Sequence, residues 1–154
     1  KHLALNKDDA AMIAGAAGGS LAQAIGMAQG DYKSFRDQAL DDLMAIHNNI
    51  LLKLLSFSSD FGKDREDIIQ KLDVIRSCYR DAMIYRETGR EDALINRDRM
   101  DIIGGMAYRL DGRDLLERLQ AVEHALQAID QNANKALTLE AMMFKLAHQR
   151  RQEA

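Results

Sequence analysis

The chain has 154 residues, of which 47% are hydrophobic, and a formal net charge of −3. This size predicts one ordinary domain, or one domain and a fragment of another, with a sizeable core. Lysine, arginine, aspartate and glutamate are interspersed, which disfavours the basic face of a nucleic-acid-binding protein. The longest apolar run, Ile50 to Leu55 with Lys53 inside it, is far shorter than the ~20 residues of a membrane span. We therefore expect a soluble, cytoplasmic protein.

Composition also indicates the fold class. The chain contains no proline and few aromatic residues, and it is rich in good helix formers. An all-α fold follows. The one cysteine, Cys78, cannot form an intramolecular disulfide and is expected in the core. The sequence starts at Lys1-His2 without an initiator methionine, which predicts a fragment of a longer protein, and it shows no signal-peptide pattern.

Residues 7–30 are rich in alanine and glycine and predict a short pair of helices. Two aspartates mark the start of the first helix, and Gly18-Gly19 mark its end. Ser20 caps the second helix, which Gly30 ends. This composition suits close packing against other helices, although a simple helical hairpin explains it equally well.

Two long helices are predicted next. Apolar residues recur every three to five positions from Tyr32 to about Ser56. The second helix extends from Asp64 to Thr88, with Gly89 as a left-handed cap. Because the side chains become longer after Gly30, we place a domain boundary there.

Residues 98–129 predict two further helices. Asp98 to Leu110 carries Gly104-Gly105 in its middle, which costs about 1 kcal/mol per glycine relative to alanine. A close helix contact or a kink is therefore expected at these glycines. Asp114 to Ile129 has apolar residues in 4-3-4-3 spacing, which is typical of a bundle helix.

The last predicted helix follows Asn134, whose side chain can cap it. Up to Ala147 it has polar residues only at Thr138, Glu140 and Lys145. A helix that is apolar on most of its circumference predicts burial on most sides, so we expect it to be the central helix. Its predicted core residues are Leu139, Met142, Met143 and Leu146.

No sequence motif indicates a metal site. A di-iron bundle requires Glu-x-x-His pairs, and none occurs. The four histidines, His2, His47, His124 and His148, are scattered, so we expect no metal and no cofactor. His47 lies in an apolar stretch and is expected to have a structural role.

One enzymatic alternative comes from Arg118 and His124. Their Arg-x5-His spacing resembles the ribonuclease motif of the small helical HEPN domains. In that family the pair supplies a base and a phosphate stabiliser for RNA cleavage. Here both residues are expected in a charged surface strip, where such a spacing arises easily by chance.

A second resemblance involves two stretches of the chain. Residues 131–143, Gln-Asn-Ala-Asn-Lys-Ala-Leu-Thr-Leu-Glu-Ala-Met-Met, resemble the terminal Asn-x-Asn-Pro-x-Leu-x-Leu-Glu helix of bacterial DNA polymerase III clamp loaders, specifically the delta prime subunit family. Lys135 stands where that family often has proline. Residues 16–24 are similar to the Gly-Ser segment that begins the last helix of the AAA+ lid, the sensor-2 region. The two stretches stand in the family's order, and Leu94-Ile95-Asn96 falls where the family often has a comparable motif.

This resemblance implies a function. ATP-hydrolysing subunits carry a sensor-2 arginine where this chain has Ala22, which points to the non-hydrolysing delta prime subunit. Residues 1–30 then correspond to the end of the lid domain, and residues 31–154 to a helical collar bundle of five to six helices. The implied role is assembly of the pentameric loader that places the sliding clamp on primed DNA.

The resemblance also implies the kind of partner. We expect other clamp-loader subunits as partners, no direct nucleic-acid contact, no small-molecule substrate and no enzymatic activity in this fragment. The predicted contact residues are of types enriched in protein interfaces: Tyr85, Arg86, Ile102, Met106 and Tyr108. The alternative for Ile102 and Met106 is that they widen the core face. An unrelated helical interaction domain remains the other alternative.

Overall fold

The computed structural model describes residues 5–48 and 61–147, and these residues contain seven α-helices and no strand. The predicted all-α fold is confirmed. The helices are α1 (Lys7–Ala16), α2 (Leu21–Gln29), α3 (Tyr32–Asn48), α4 (Arg65–Thr88), α5 (Met100–Arg109), α6 (Gly112–Asp130) and α7 (Lys135–Ala147). Two single 3-10 turns, Glu91–Ala93 and Arg97–Arg99, lie in the connector between α4 and α5. The predicted end of α3 near Ser56 lies outside the described residues.

Local capping sets most helix starts. In each case a side-chain oxygen accepts the backbone N–H three residues further on, which satisfies one of the free donors of the first turn. The capping residues are Asn6, Ser20, Asp31, Asp64, Asp111 and Asn134. At the other end of α4, Gly89 has φ +65°, the left-handed conformation predicted for it.

The central helix is α4, which packs against α3, α5 and α6. The prediction that the last helix is central is therefore wrong. Helix α7 packs on α6 and α3 only with one face, through Leu139, Met142, Met143 and Leu146, which are buried as predicted. Ala147 is also buried, whereas the remaining apolar residues of α7 are exposed, and Leu137 and Phe144 are 64% and 60% exposed.

Cys78 lies in the core of α4, as predicted. Its Sγ is 3.5 Å from Sδ of Met106 on α5. Burial raises the pKa of the thiol, so the reactive thiolate is disfavoured. Cys78 therefore acts as a small apolar side chain at the contact between α4 and α5.

The close helix contact expected at Gly104-Gly105 is absent among the residues that the structure describes. Helix α5 is continuous through both glycines. An added Cβ would lie 3.7 Å from Met100 Cε at Gly104 and 3.6 Å from Arg109 Nη2 at Gly105. Both neighbours are flexible side chains of the same helix, so no other backbone within the described residues requires these glycines.

Asp81 holds the connector between α4 and α5 in place. Its buried carboxylate accepts the backbone N–H groups of Ile95 and Asn96 at 3.0 and 2.7 Å. The Asn96 side-chain amide donates to the same oxygen at 3.0 Å and to Ser77 Oγ at 3.0 Å. Arg80 donates to the second carboxylate oxygen at 2.9 Å. This network supplies the donors and acceptors that a buried loop otherwise lacks.

His47 joins α3 to α4. Its Nε2 is 3.0 Å from the Tyr79 hydroxyl, and the two rings meet edge to face. Burial, followed by the positive charges of Arg118 and Arg109, lowers the pKa of His47 to about 4. The contact agrees with the structural role predicted for this residue.

The low pKa of His47 predicts a pH-dependent stability. In the unfolded chain the imidazole takes up a proton near pH 6.5, whereas in the folded chain it does so only near pH 4. The contribution is therefore fully present above pH 6.5 and is lost as the pH falls towards 4. We expect the free energy of unfolding to drop by about 2 kcal/mol between pH 7 and pH 5 from this residue. Urea denaturation at both pH values measures the drop.

The control is His47→Gln, which keeps a hydrogen-bond acceptor for Tyr79 and does not titrate. Its stability should change between pH 7 and pH 5 by about 2 kcal/mol less than that of the wild type. Equal changes in the two proteins would contradict the assignment to His47.

Candidate subunit interface

Tyr108, near the end of α5, is 90% exposed, more than any other large hydrophobic side chain in the described ranges. Arg86 comes from the last turn of α4 and donates through Nη1 to the carbonyl oxygen of Ala107 at 2.7 Å. Tyr85 is half-buried and packs against the core. The structure thus brings Arg86 to the residue next to Tyr108. One interface can therefore include both side chains.

Ile102 and Met106 lie elsewhere. They are only 4% and 1% exposed and belong to the main core. Helical geometry explains the difference, because Met106 and Tyr108 are two positions apart and therefore project about 200° apart around α5. Ile102 and Met106 therefore widen the core face, and the prediction that they are contact residues is wrong. The surface that remains, which we call the Tyr108 surface, consists of Arg86 and Tyr108, whereas Tyr85, the residue before Arg86, packs against the core.

A second exposed apolar surface lies on α7. Leu137, Ala141 and Phe144 are exposed and follow i, i+4, i+7 spacing, which places them on one face; we call them the α7 stripe. Phe144 also lines a groove of about 510 Å³ between α6 and α7. The prediction that α7 is buried on most sides is wrong for this face. The excess of apolar residues over what one buried face can hold forms an exposed stripe instead of indicating a central helix.

The Arg118–His124 pair does not form the predicted charged surface strip. Arg118 is buried, and its guanidinium donates to the carbonyl oxygens of Leu146 at 3.2 Å and Asp114 at 3.4 Å. His124 is exposed and lines the same groove. The guanidinium therefore ties α6 to the last turn of α7, and two of its N–H groups donate to backbone carbonyls.

The described residues hold no group of three metal-ligating side chains, and none of their helices is both long and apolar enough to cross a membrane. Ala22 is exposed on α2, a helix that carries no charged side chain. Ala22 therefore provides no positive charge for a phosphate.

Fold and surface together describe an all-helical bundle whose exposed aromatic and aliphatic side chains suit contact with another protein. The family model described as DNA polymerase III, delta subunit, C terminal, matches residues 31–148. This range covers more than half of the chain, and the chain belongs to this clamp-loader family. It is thus a clamp-loader subunit domain of DNA replication. Comparison with curated proteins gave no significant match, and comparison with solved structures gave none either.

Proposed function

We propose that the chain is the C-terminal part of a bacterial clamp-loader delta prime subunit. In this proposal residues 1–30 are the end of an AAA+ lid domain, and residues 31–154 are the collar domain. The chain itself is non-catalytic and mediates assembly of the cytoplasmic pentameric loader that places the sliding clamp on primed DNA. The family match over residues 31–148 supports the clamp-loader part of the proposal, and it begins directly after Gly30, where the side chains become longer. The matched family is described as the delta subunit, and the delta prime assignment rests on the motif resemblance.

The delta prime assignment is supported by α2. ATP-hydrolysing subunits of the resembled family place an arginine at the position of Ala22. Neither Ala22 nor any other residue of α2 has a charge with which to contact a γ-phosphate. A subunit with this helix contributes to the assembly through its contacts rather than through hydrolysis.

The Tyr108 surface is the proposed contact with a neighbouring collar domain. Tyrosine and arginine are enriched at the centres of protein interfaces, because each offers a large contact area with a polar end. In the isolated chain Tyr108 exposes nearly all of its ring to water. Covering that ring with a partner removes apolar surface from water without disturbing the core. In a pentamer of unlike subunits this surface contacts a different subunit and not a second copy of the same chain. We therefore expect the isolated chain to be monomeric.

A pull-down with the purified clamp-loader subunits of the same cell tests the proposal. We expect the wild-type chain to be retained, and Tyr108→Ala to reduce retention about tenfold, as truncation of an interface anchor does. Tyr108→Ala is preferable to a double variant with Met106, because Met106 is buried and its truncation weakens the core.

Phe144→Ala is the matched control, since it also removes an exposed aromatic side chain, but from the α7 stripe. Its retention should equal that of the wild type. If Phe144→Ala loses retention and Tyr108→Ala does not, the contact lies on α7 instead. Failure of the wild-type chain to bind any loader subunit would overturn the functional proposal.

A further inference from the structure

Leu94, Ile95 and Asn96 in the connector differ in where their side chains lie. Leu94 is buried in the main core, and the buried Asn96 is hydrogen-bonded to Asp81 of α4. Ile95 is half-buried, and its side chain lies against Gly15 of α1. The two outer residues thus attach the connector to the bundle, while Ile95 contacts the α1–α2 pair.

Gly15 allows α1 to approach Ile95 closely. A Cβ added at Gly15 would lie 3.2 Å from Cγ1 and 3.3 Å from Cγ2 of Ile95. Carbon atoms in ordinary contact are about 3.5–4.0 Å apart, so a side chain at this position has to displace its neighbour. Part of Gly15 is open to solvent, but the direction that a side chain would take is blocked.

The backbone of Ile95 is held in place by α4. Its N–H donates to the buried carboxylate of Asp81 at 3.0 Å, and the next N–H, that of Asn96, donates to the same oxygen at 2.7 Å. Ile95 therefore bridges two helices, because its backbone is bonded to α4 and its side chain packs on α1.

Ion pairs add only weakly to the attachment of α1. Arg97 of the connector pairs with Asp8 at 3.1 Å, and Lys33 of α3 pairs with Asp9 at 3.1 Å. At least one side chain of each pair is more than half exposed. Exposed pairs contribute little to stability, because water and salt screen them. The apolar contacts of α1, which also bury Met12, therefore supply most of the attachment.

Helix α2 does not fix the position of the pair. None of its nine residues is buried, and a cleft of about 1490 Å³ is lined by residues of both α2 and α4. Only Gly30 and Asp31 link α2 to α3. A two-residue link that includes a glycine allows more than one orientation of the helices that it joins. The orientation of the α1–α2 pair therefore depends on α1 and its contact with the connector.

We propose that Ile95, through its contact with Gly15, locks the α1–α2 pair onto the bundle, so that the chain does not bend at Gly30. Asp81 is the positioning residue, since it holds the backbone of Ile95 against α4. In the clamp-loader subunit, an extension that rests on the proposed function, the same contact sets the orientation of the lid domain against the collar domain.

Hydrogen exchange measured by mass spectrometry on the full 154-residue chain tests this contact. Gly15→Val places a side chain that branches at Cβ against Ile95, so α1 has to leave the connector. Helices as short as α1 and α2 are marginal in water once they lose their packing partner. We expect their amides to exchange at least tenfold faster in Gly15→Val, whereas the amides of α5 and α6 stay within about twofold of the wild type.

Gly26→Val is the matched control, since a Cβ added at Gly26 of α2 meets no atom within 4 Å. Valine has a higher helix propensity than glycine, so a purely local effect slows exchange in both variants. Exchange in α1 and α2 of Gly26→Val should therefore be no faster than in the wild type. Unchanged or slower exchange in Gly15→Val would overturn the proposal, and so would faster exchange in α5 and α6.

Ile95→Ala supplies a reciprocal test. It removes both Cγ atoms that approach Gly15, so the combination of Ile95→Ala with Gly15→Val refills the contact from the other side. Amides of α1 and α2 should exchange at least threefold more slowly in the double variant than in Gly15→Val alone. Without this recovery, Ile95 is not the residue that holds α1.

These measurements use the isolated chain, so they do not depend on its role in a clamp loader. Gly15→Val leaves the Tyr108 surface intact, and its retention in the pull-down should equal that of the wild type. If the wild-type chain binds no loader subunit, the proposed function and its lid and collar domains fail, while the contact between Ile95 and Gly15 is decided by hydrogen exchange alone.

Discussion

Met143→Asp is expected to leave the chain unfolded at 25 °C. Met143 is 0% exposed and lies on the face of α7 that packs against the bundle. An aspartate there either buries an unpaired charge or takes up a proton, and it also loses the apolar contacts of the methionine. The combined penalty of several kcal/mol is comparable with the total stability of a small domain, which is about 5–15 kcal/mol.

Phe144→Asp, one residue further on, is the matched control. Phe144 projects about 100° away from Met143 around α7 and is 60% exposed, so the charged side chain reaches water. We expect a folded protein with a melting temperature close to that of the wild type, measured by circular dichroism. If Phe144→Asp also unfolds the chain, or Met143→Asp melts within a few degrees of the wild type, the described orientation of α7 is wrong.

Asp81→Leu is expected to destabilise the chain by about 3–5 kcal/mol. Leucine has a similar volume but accepts no hydrogen bond, so the N–H groups of Ile95 and Asn96 and the Asn96 amide lose their acceptor. A buried donor without a partner costs about 1–3 kcal/mol. Urea denaturation followed by circular dichroism measures the change in the free energy of unfolding.

Two further variants separate the role of the hydrogen bonds from that of the charge. Asp81→Asn keeps one acceptor oxygen and should lose only about 1–2 kcal/mol, because hydrogen bonds to a charged group are stronger than those to a neutral one. Asp92→Leu removes an exposed aspartate whose side-chain partner in the described part of the chain is Arg90, two residues earlier. Its unfolding midpoint should match the wild type. If Asp81→Leu lowers the free energy of unfolding no more than Asp92→Leu does, the network does not hold the connector.

Helix boundaries were predictable from the sequence because the interactions that set them are local. A capping oxygen and the N–H that it binds are three residues apart, so Ser20, Asp64 and Asn134 could be recognised from their neighbours alone. Gly89 ends α4 because its own backbone adopts a positive φ. The clamp-loader family was also accessible from short motifs, whereas Asp81 gave no local signal, since its partners arrive from a connector 14 and 15 residues away.

The partition between core and surface was decided only by the tertiary structure. Both faces of α7 are apolar, and the neighbours α6 and α3 cover the face of Met143 while leaving Leu137 and Phe144 in water. For the same reason α4, with more polar residues than α7, is the central helix, because three helices distant in sequence pack around it. Apolar periodicity reports which residues can be buried. Which of them are buried depends on where the other helices lie, because burial is a property of the assembled bundle and not of any one segment.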